Sequence, residues 1–208
     1  MTNRTLVVSI DALITADIPV LKQLPNLGRV MEHASWITDI ECIYPTLTYP
    51  CHATIATGCW PDRTGINNNE IPDFFAKGRM DWYWWREAIQ VPTVVDFARQ
   101  AGLTASTVTW PVMCASGAEY NIGEIWAPRE EDDPTPWFTR ANSPAVAKIF
   151  EANKHMLRWM KTPQMDEFAA KCAADIIRAH RPDLMLLHLS YVDHQRHRLG
   201  VHGDLEHA

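Results

Sequence analysis

Two short apolar runs, TLVVSI at 5–10 and DLMLLHLS at 183–190, constrain the fold more than any other feature of the chain. Each is rich in branched side chains, has no clean polar alternation and is followed within a few residues by an aspartate, Asp11 or Asp193. Continuous apolar runs of that length are what strands buried on both faces of a parallel sheet require. Between them lie helical patterns. PVLKQLPNLGRVMEHA at 19–34 reads as a helix interrupted at Pro25, and Pro92 opens PTVVDFARQAG with Gly102 closing it. TASTVTW at 104–110 reads as another strand, and helices are expected over 144–160 and 163–180. WITDIECI at 36–43 also reads as a strand. Strands alternating with helices predict an α/β fold with a mostly parallel sheet, whose ligands bind beyond the C-terminal strand ends. Asp11, Asp193 and Thr48 then share one sheet edge. Residues 70–90 and 117–143 break the rhythm with Trp82, Trp84, Trp85, Trp126, Trp137 and the run PREEDDPTPWF, and read as surface excursions that roof the site.

Composition narrows the functional classes. At 208 residues the chain suits one large domain. Neither apolar run approaches the roughly 20 residues of a membrane span, and the start turns acidic too early for a signal peptide. Net charge is −6 without a cluster of Lys or Arg, which argues against a nucleic-acid duplex as partner. Small phosphate compounds remain compatible, because a bound cation reverses the local sign. Five cysteines without a CxxC pattern suggest reduced thiols and a cytoplasmic setting.

Several residues carry possible chemistry. Asp193 and His197 are four apart, so one helical turn places both on one face, and both are zinc-type ligands; an exposed pair at a solvated helix start is the plain alternative. Asp11 reads either as a cap for the next segment or as a hard ligand for a divalent cation. Thr48 precedes a prolyl helix start in PTLTYPCH, where helix N-termini favour negative charge. It is a candidate nucleophile or an ordinary N-cap, and Thr46 competes for the cap. Asn69 ends an Asn67-Asn68-Asn69 run that is either a turn or an amide donor to a phosphate oxygen. His188, inside an apolar strand, reads as a satisfied core histidine.

VVSIDAL, PTLTYPCHATIATGCWPDRTGI, Asn69 and YVDHQRHRLG together resemble the nucleotide pyrophosphatase/phosphodiesterase family of the alkaline phosphatase superfamily. The central stretch matches a pattern of about twenty positions. WYWWREAIQVPTVVDFARQAGLTASTVTWPV and PNLGRVMEHA are also similar to family segments, so the resemblance runs from residue 5 to about 204. It implies an alkaline phosphatase-like α/β/α sandwich, of which residues 1–208 form the N-terminal part of the catalytic domain, with excursions at about 70–90 and 117–143. It implies two divalent metal ions, zinc in the family, with Asp11 and Thr48 at one and Asp193 and His197 at the other. It assigns Thr48 as nucleophile, Asn69 as donor to a non-bridging phosphate oxygen, and Tyr49 to an aromatic slot for a base or leaving group. The implied activity is hydrolysis of phosphodiester or pyrophosphate bonds in small nucleotide-like molecules through a phospho-threonine. Two other outcomes stay open: a phosphonate or phosphomonoester hydrolase, and a truncated remnant that binds phosphate compounds or a partner without turnover. A further Asp-His pair and a later His of the family are not matched before Ala208, where GDLEHA reads as a new helix. The truncation is also expected to leave the edge of the last strand unpaired.

Overall fold

The computed structural model describes residues 4–73, 81–126, 133–157 and 163–201. His202, the GDLEHA segment, the PREED part of PREEDDPTPWF and the tail of the 144–160 helix lie outside them. Four strands, β1 (Thr5–Ile10), β2 (Ala105–Val108), β3 (Tyr120–Ile122) and β4 (Leu184–Leu189), form one sheet in the order β1-β4-β2-β3. Every pairing is parallel. The strands expected at 5–10, 104–110 and 183–190 are thus present. The last of them, β4, is central rather than an edge, which corrects the expected location of the unpaired strand: β1 and β3 occupy the edges.

The helices are α1 (Ile18–Leu21), α2 (Pro25–Met31), α3 (Thr48–Thr57), α4 (Pro61–Thr64), α5 (Val94–Gln100), α6 (Thr135–Ala141), α7 (Ala147–Asn153), α8 (Gln164–His180) and α9 (Tyr191–Leu199). Pro25 opens α2 and separates it from α1, since its ring cannot continue the preceding turn. Thr93, not Pro92, caps α5: its hydroxyl accepts from the Asp96 amide and the Asp96 carboxylate reaches back to the Thr93 amide. Gly58 ends α3 at a φ of +67°, a conformation that other residues reach at a cost.

Helices cover both faces of the sheet. Parallel register places Leu6 beside Met185 and Ser9 beside His188. Leu6 and Met185 line one cleft with Ile177 of α8. On the opposite face Ser9 and His188 meet His52 of α3. The core runs from Val95, Val108 and Trp110 to Phe168, Ile176 and Leu186.

Two expectations are corrected. Residues 36–43 form no strand; Ile37 and Ile40 are exposed. Their isoleucines and aromatic residue report β-propensity, but a strand exists only where a neighbour supplies its ladder. The described residues of the 117–143 segment are not a surface excursion. They contribute β3 and α6, with Ile122, Ile125, Phe138 and Ala141 buried. The outer edge of β3 is closed by side chains, Ser143 Oγ accepting from the Asn121 amide and Asn142 Oδ1 from Gly123. Among the described residues β1 pairs only with β4, and Leu6 and Val8 on one face of β1 are exposed. No helix among the described residues is long and apolar enough to cross a membrane.

Candidate active site

The C-terminal ends of β1 and β4 aim their following residues at one place. The Asp11 amide donates to Leu189 O at 2.9 Å, extending the ladder one step past β1. Ala12 then adopts a left-handed φ of +58°, and its amide donates to Asp11 Oδ1 at 3.0 Å. A non-glycine residue there costs on the order of 1 kcal/mol or more, so the turn fixes the carboxylate against a local preference.

Thr48 is the first residue of α3, and Leu47 occupies the cap position. The hydroxyl caps nothing: it donates to Asp11 Oδ2 at 3.0 Å. Thr46, the competing cap, donates to Ile43 O instead. The N-cap alternative for Thr48 is therefore not what the fold does with this side chain.

Asn69 reaches the same helix start. Its Oδ1 accepts from the Tyr49 amide at 2.9 Å, an assignment that follows because an amide N–H can only donate. The Asn69 side-chain NH₂ is thereby turned away from the Tyr49 amide. Tyr49 itself has no exposed surface. Its ring meets Trp82 and Trp84 edge-on at 5.2 and 6.1 Å, and Trp126 packs edge-on against both tryptophans. Tyr49, expected at an aromatic slot for a base or leaving group, is thus enclosed by other rings, and the packing corrects the expectation that these tryptophans stand on the surface. Aromatic rings with apolar faces bury large areas, and here they bury them against one another.

Asp193 and His197 sit on α9, whose start is held by Asp166 of α8. That carboxylate accepts from the Ser190 and Tyr191 amides at 2.9 and 3.0 Å. His197 Nε2 lies 3.5 Å from Asp193 Oδ2, as the four-residue spacing predicts. The far side of α9 is locked by Arg196, whose Nη2 donates to both oxygens of Asp17 at 2.7 and 2.6 Å in a buried pair.

A layer of buried polar groups backs Asp11. His52 Nδ1 donates to Thr48 O at 2.7 Å, so Nε2 is the acceptor for the Ser9 hydroxyl at 2.9 Å. Burial, and then the neighbouring His188, push His52 down to about 4. His188 is buried as expected of a core histidine, but its surroundings are charged. Its Nδ1 lies 3.1 Å from Thr109 O and 3.4 Å from Glu124 Oε1, and Nε2 lies 3.6 Å from Asp11 Oδ2. The last distance is an ion-pair contact rather than a hydrogen bond. Burial works against the charged imidazole, and Asp11 and Glu124 outweigh it, raising His188 to about 10. Asp11 is lowered in return: burial opposes, and His188, His52 and Thr48 prevail. Asp193 moves the other way, raised by burial and then by the charge of Asp11.

That effect of Asp11 on Asp193 is the observation that bears on a cation. Asp193 lies within electrostatic reach of Asp11, and the donors of the two residue pairs are hard oxygens plus an imidazole, the set that divalent metals take. The donors fit such an ion in kind but come as two pairs, Asp11 with Thr48 and Asp193 with His197. Among the described residues no group of three or more His, Cys, Asp or Glu side chains is placed to hold one.

A parallel sheet with a hydroxyl, two carboxylates, an amide and an imidazole near its strand ends defines an α/β protein of the class that works beyond the C-terminal edge of the sheet. The sequence profile described as type I phosphodiesterase / nucleotide pyrophosphatase matches residues 5–208, and the chain belongs to that family. Venom phosphodiesterase 2 of Crotalus adamanteus is 26% identical over 193 residues, covering 88% of this chain and 20% of the venom protein. Phosphonoacetate hydrolase of Sinorhizobium meliloti 1021, solved with phosphonoacetate, superposes with a TM-score of 0.63 at 19% identity, over 93% of this chain and 48% of that one. An inactive form of murine ectonucleotide pyrophosphatase / phosphodiesterase 5, solved with AMP, superposes with a TM-score of 0.56 at 18% identity, over 95% and 46%. The two superpositions bear out the expected α/β architecture. The chain spans about a fifth of the venom protein and about half of each solved one.

Proposed function

We propose that this chain carries the nucleophile-bearing part of a hydrolase that cleaves phosphodiester or pyrophosphate bonds in small nucleotide-like molecules, with Thr48 forming the covalent intermediate. The single observation behind this reading is the Thr48 hydroxyl, placed at a helix start and directed to Asp11 instead of capping its own helix.

In this mechanism the Thr48 oxygen attacks phosphorus, the P–O bond to the leaving group breaks, and phospho-Thr48 is then hydrolysed by water. Asp11 accepts the Thr48 hydrogen bond and orients the oxygen before attack. The N-terminus of α3 favours the negative charge that develops there. Asn69, its carbonyl engaged by the Tyr49 amide, has its NH₂ available to a non-bridging oxygen. Asp11 with Thr48 and Asp193 with His197 are the residues that would hold two divalent cations, zinc by family resemblance, whose contribution is to neutralise charge on the oxygens and the phosphoryl group.

The test is an acid-quenched single turnover of the full-length protein on a chromogenic phosphodiester, followed by peptide mass mapping. Phosphate on Thr48 is the expected result; turnover without any phospho-threonine would overturn the proposal. Running a phosphonate and a phosphomonoester in parallel separates this reading from the other hydrolases of the superfamily.

A further inference from the structure

All five cysteines are free thiols, and two of them lie side by side. Cys51 stands in the first turn of α3, three residues past Thr48, and is half-buried. Cys42 is exposed, in a stretch that belongs to no helix or strand. Their Sγ atoms are 3.6 Å apart. Cys114 and Cys172 are buried elsewhere.

We propose that Cys42 and Cys51 form a reversible thiol modification site, which glutathione disulfide or a small disulfide of that class converts into an intrachain disulfide. A disulfide needs its sulfurs at about 2.05 Å. Cys42, whose backbone is tied into no element, is the side that moves to close the gap, while Cys51 is held by its helix, its amide donating to Leu47 O at 3.0 Å. The chemistry balances as an exchange. The Cys42 thiolate attacks one sulfur of glutathione disulfide and expels a glutathione thiolate, leaving a mixed disulfide on Cys42. Cys51, after losing its proton to solvent, attacks the Cys42 sulfur and expels the second glutathione. Two protein thiols are oxidised, and one disulfide is reduced to two thiols. Burial, and then the neighbouring Cys42, push the Cys51 thiol up to about 12, so the exposed Cys42 is the first attacker.

The loop closed by this bond contains Thr46 and Thr48. The modification would staple an exposed stretch to the turn that holds the candidate nucleophile.

The experiment incubates the 208-residue chain with glutathione disulfide, alkylates remaining thiols and digests without reductant at Leu47 and Ile55, which puts Cys42, Cys51 and Cys59 on separate peptides. The expected product is a peptide pair joined through Cys42 and Cys51, with two thiols lost and both recovered by dithiothreitol. In Cys51→Ser, glutathione should remain on Cys42. The proposal is overturned if the wild-type chain keeps glutathione on Cys42 or Cys51 without the cross-link, if either residue pairs with Cys59 instead, or if both stay unmodified. The wild-type mapping decides this even if the variant does not fold.

Discussion

The Thr48 hydroxyl donates to Asp11 Oδ2 at 3.0 Å across 37 residues of sequence, although Thr48 opens a helix whose own cap position holds Leu47, with no side-chain oxygen to give. A threonine that served only the helix would bond to the helix. Thr48→Ala in the full-length protein should therefore cut phosphodiester turnover by about 10⁴-fold or more, the scale of losing a catalytic nucleophile. It should lower stability by about 1–2 kcal/mol, from the lost bond to Asp11 alone, because no cap is removed. Steady-state kinetics and a thermal melt check both halves; near-normal turnover would remove Thr48 from its assigned role.

Asn69 offers two separable functions. Asn69→Asp keeps an acceptor for the Tyr49 amide but replaces the NH₂ with negative charge. Its melting temperature should stay close to that of the parent protein, while turnover falls by at least about 10²–10³-fold, the usual loss for one oxyanion donor. Asn69→Ala should lose the donor and in addition about 1 kcal/mol of stability. Equal kcat/KM in all three proteins would make the asparagine run a turn and nothing more.

Arg196 and Asp17 form a buried pair joining α9 to the 3-10 turn that leads into α1. Asp17→Ala strands a guanidinium in the interior and should destabilise the fold by about 3–5 kcal/mol. Urea unfolding would register this as a lower midpoint at unchanged slope.

The capping carboxylate of α5 supplies a pH dependence. Burial tends to raise Asp96, and Arg86, 2.5 Å away, together with the Thr93 donors holds it below the usual carboxylate range. A group whose folded pKa is depressed contributes stability that is complete above its unfolded value of about 3.9 and disappears as pH falls through the folded pKa. Asp96→Asn should therefore flatten part of the stability loss below about pH 4. Melting temperatures of both proteins across pH 2–6 measure it; parallel acid limbs would assign that loss to other carboxylates.

Much of this was legible in the sequence where a long element carries a strong pattern. β1, β4, α8 and the break at Pro25 follow from apolar run length and proline chemistry, and the Asp193–His197 contact follows from helical spacing. β3 was missed because three residues, Tyr120–Ile122, cannot display a period. The buried layer of Ser9, His52, Glu124 and His188 was missed because its members come from distant parts of the chain and meet only in the fold. A faint signal existed for His52, four residues from Thr48 on one helical face. The burial of Tyr49 was not legible for a different reason: aromatic neighbours distant in sequence, Trp82 and Trp84, decide whether its ring faces solvent.

The two edges of the sheet are not equivalent. At β3 the amides of Asn121 and Gly123 already have partners in Ser143 and Asn142, so a newcomer strand would have to break bonds before making any. At β1 no such partners intervene among the described residues. Among the described residues, then, an added strand would find open backbone at β1 and not at β3. The open side is β1, whose ladder with β4 runs one step on to Asp11, so a strand paired there would lie beside the carboxylate that accepts from the Thr48 hydroxyl.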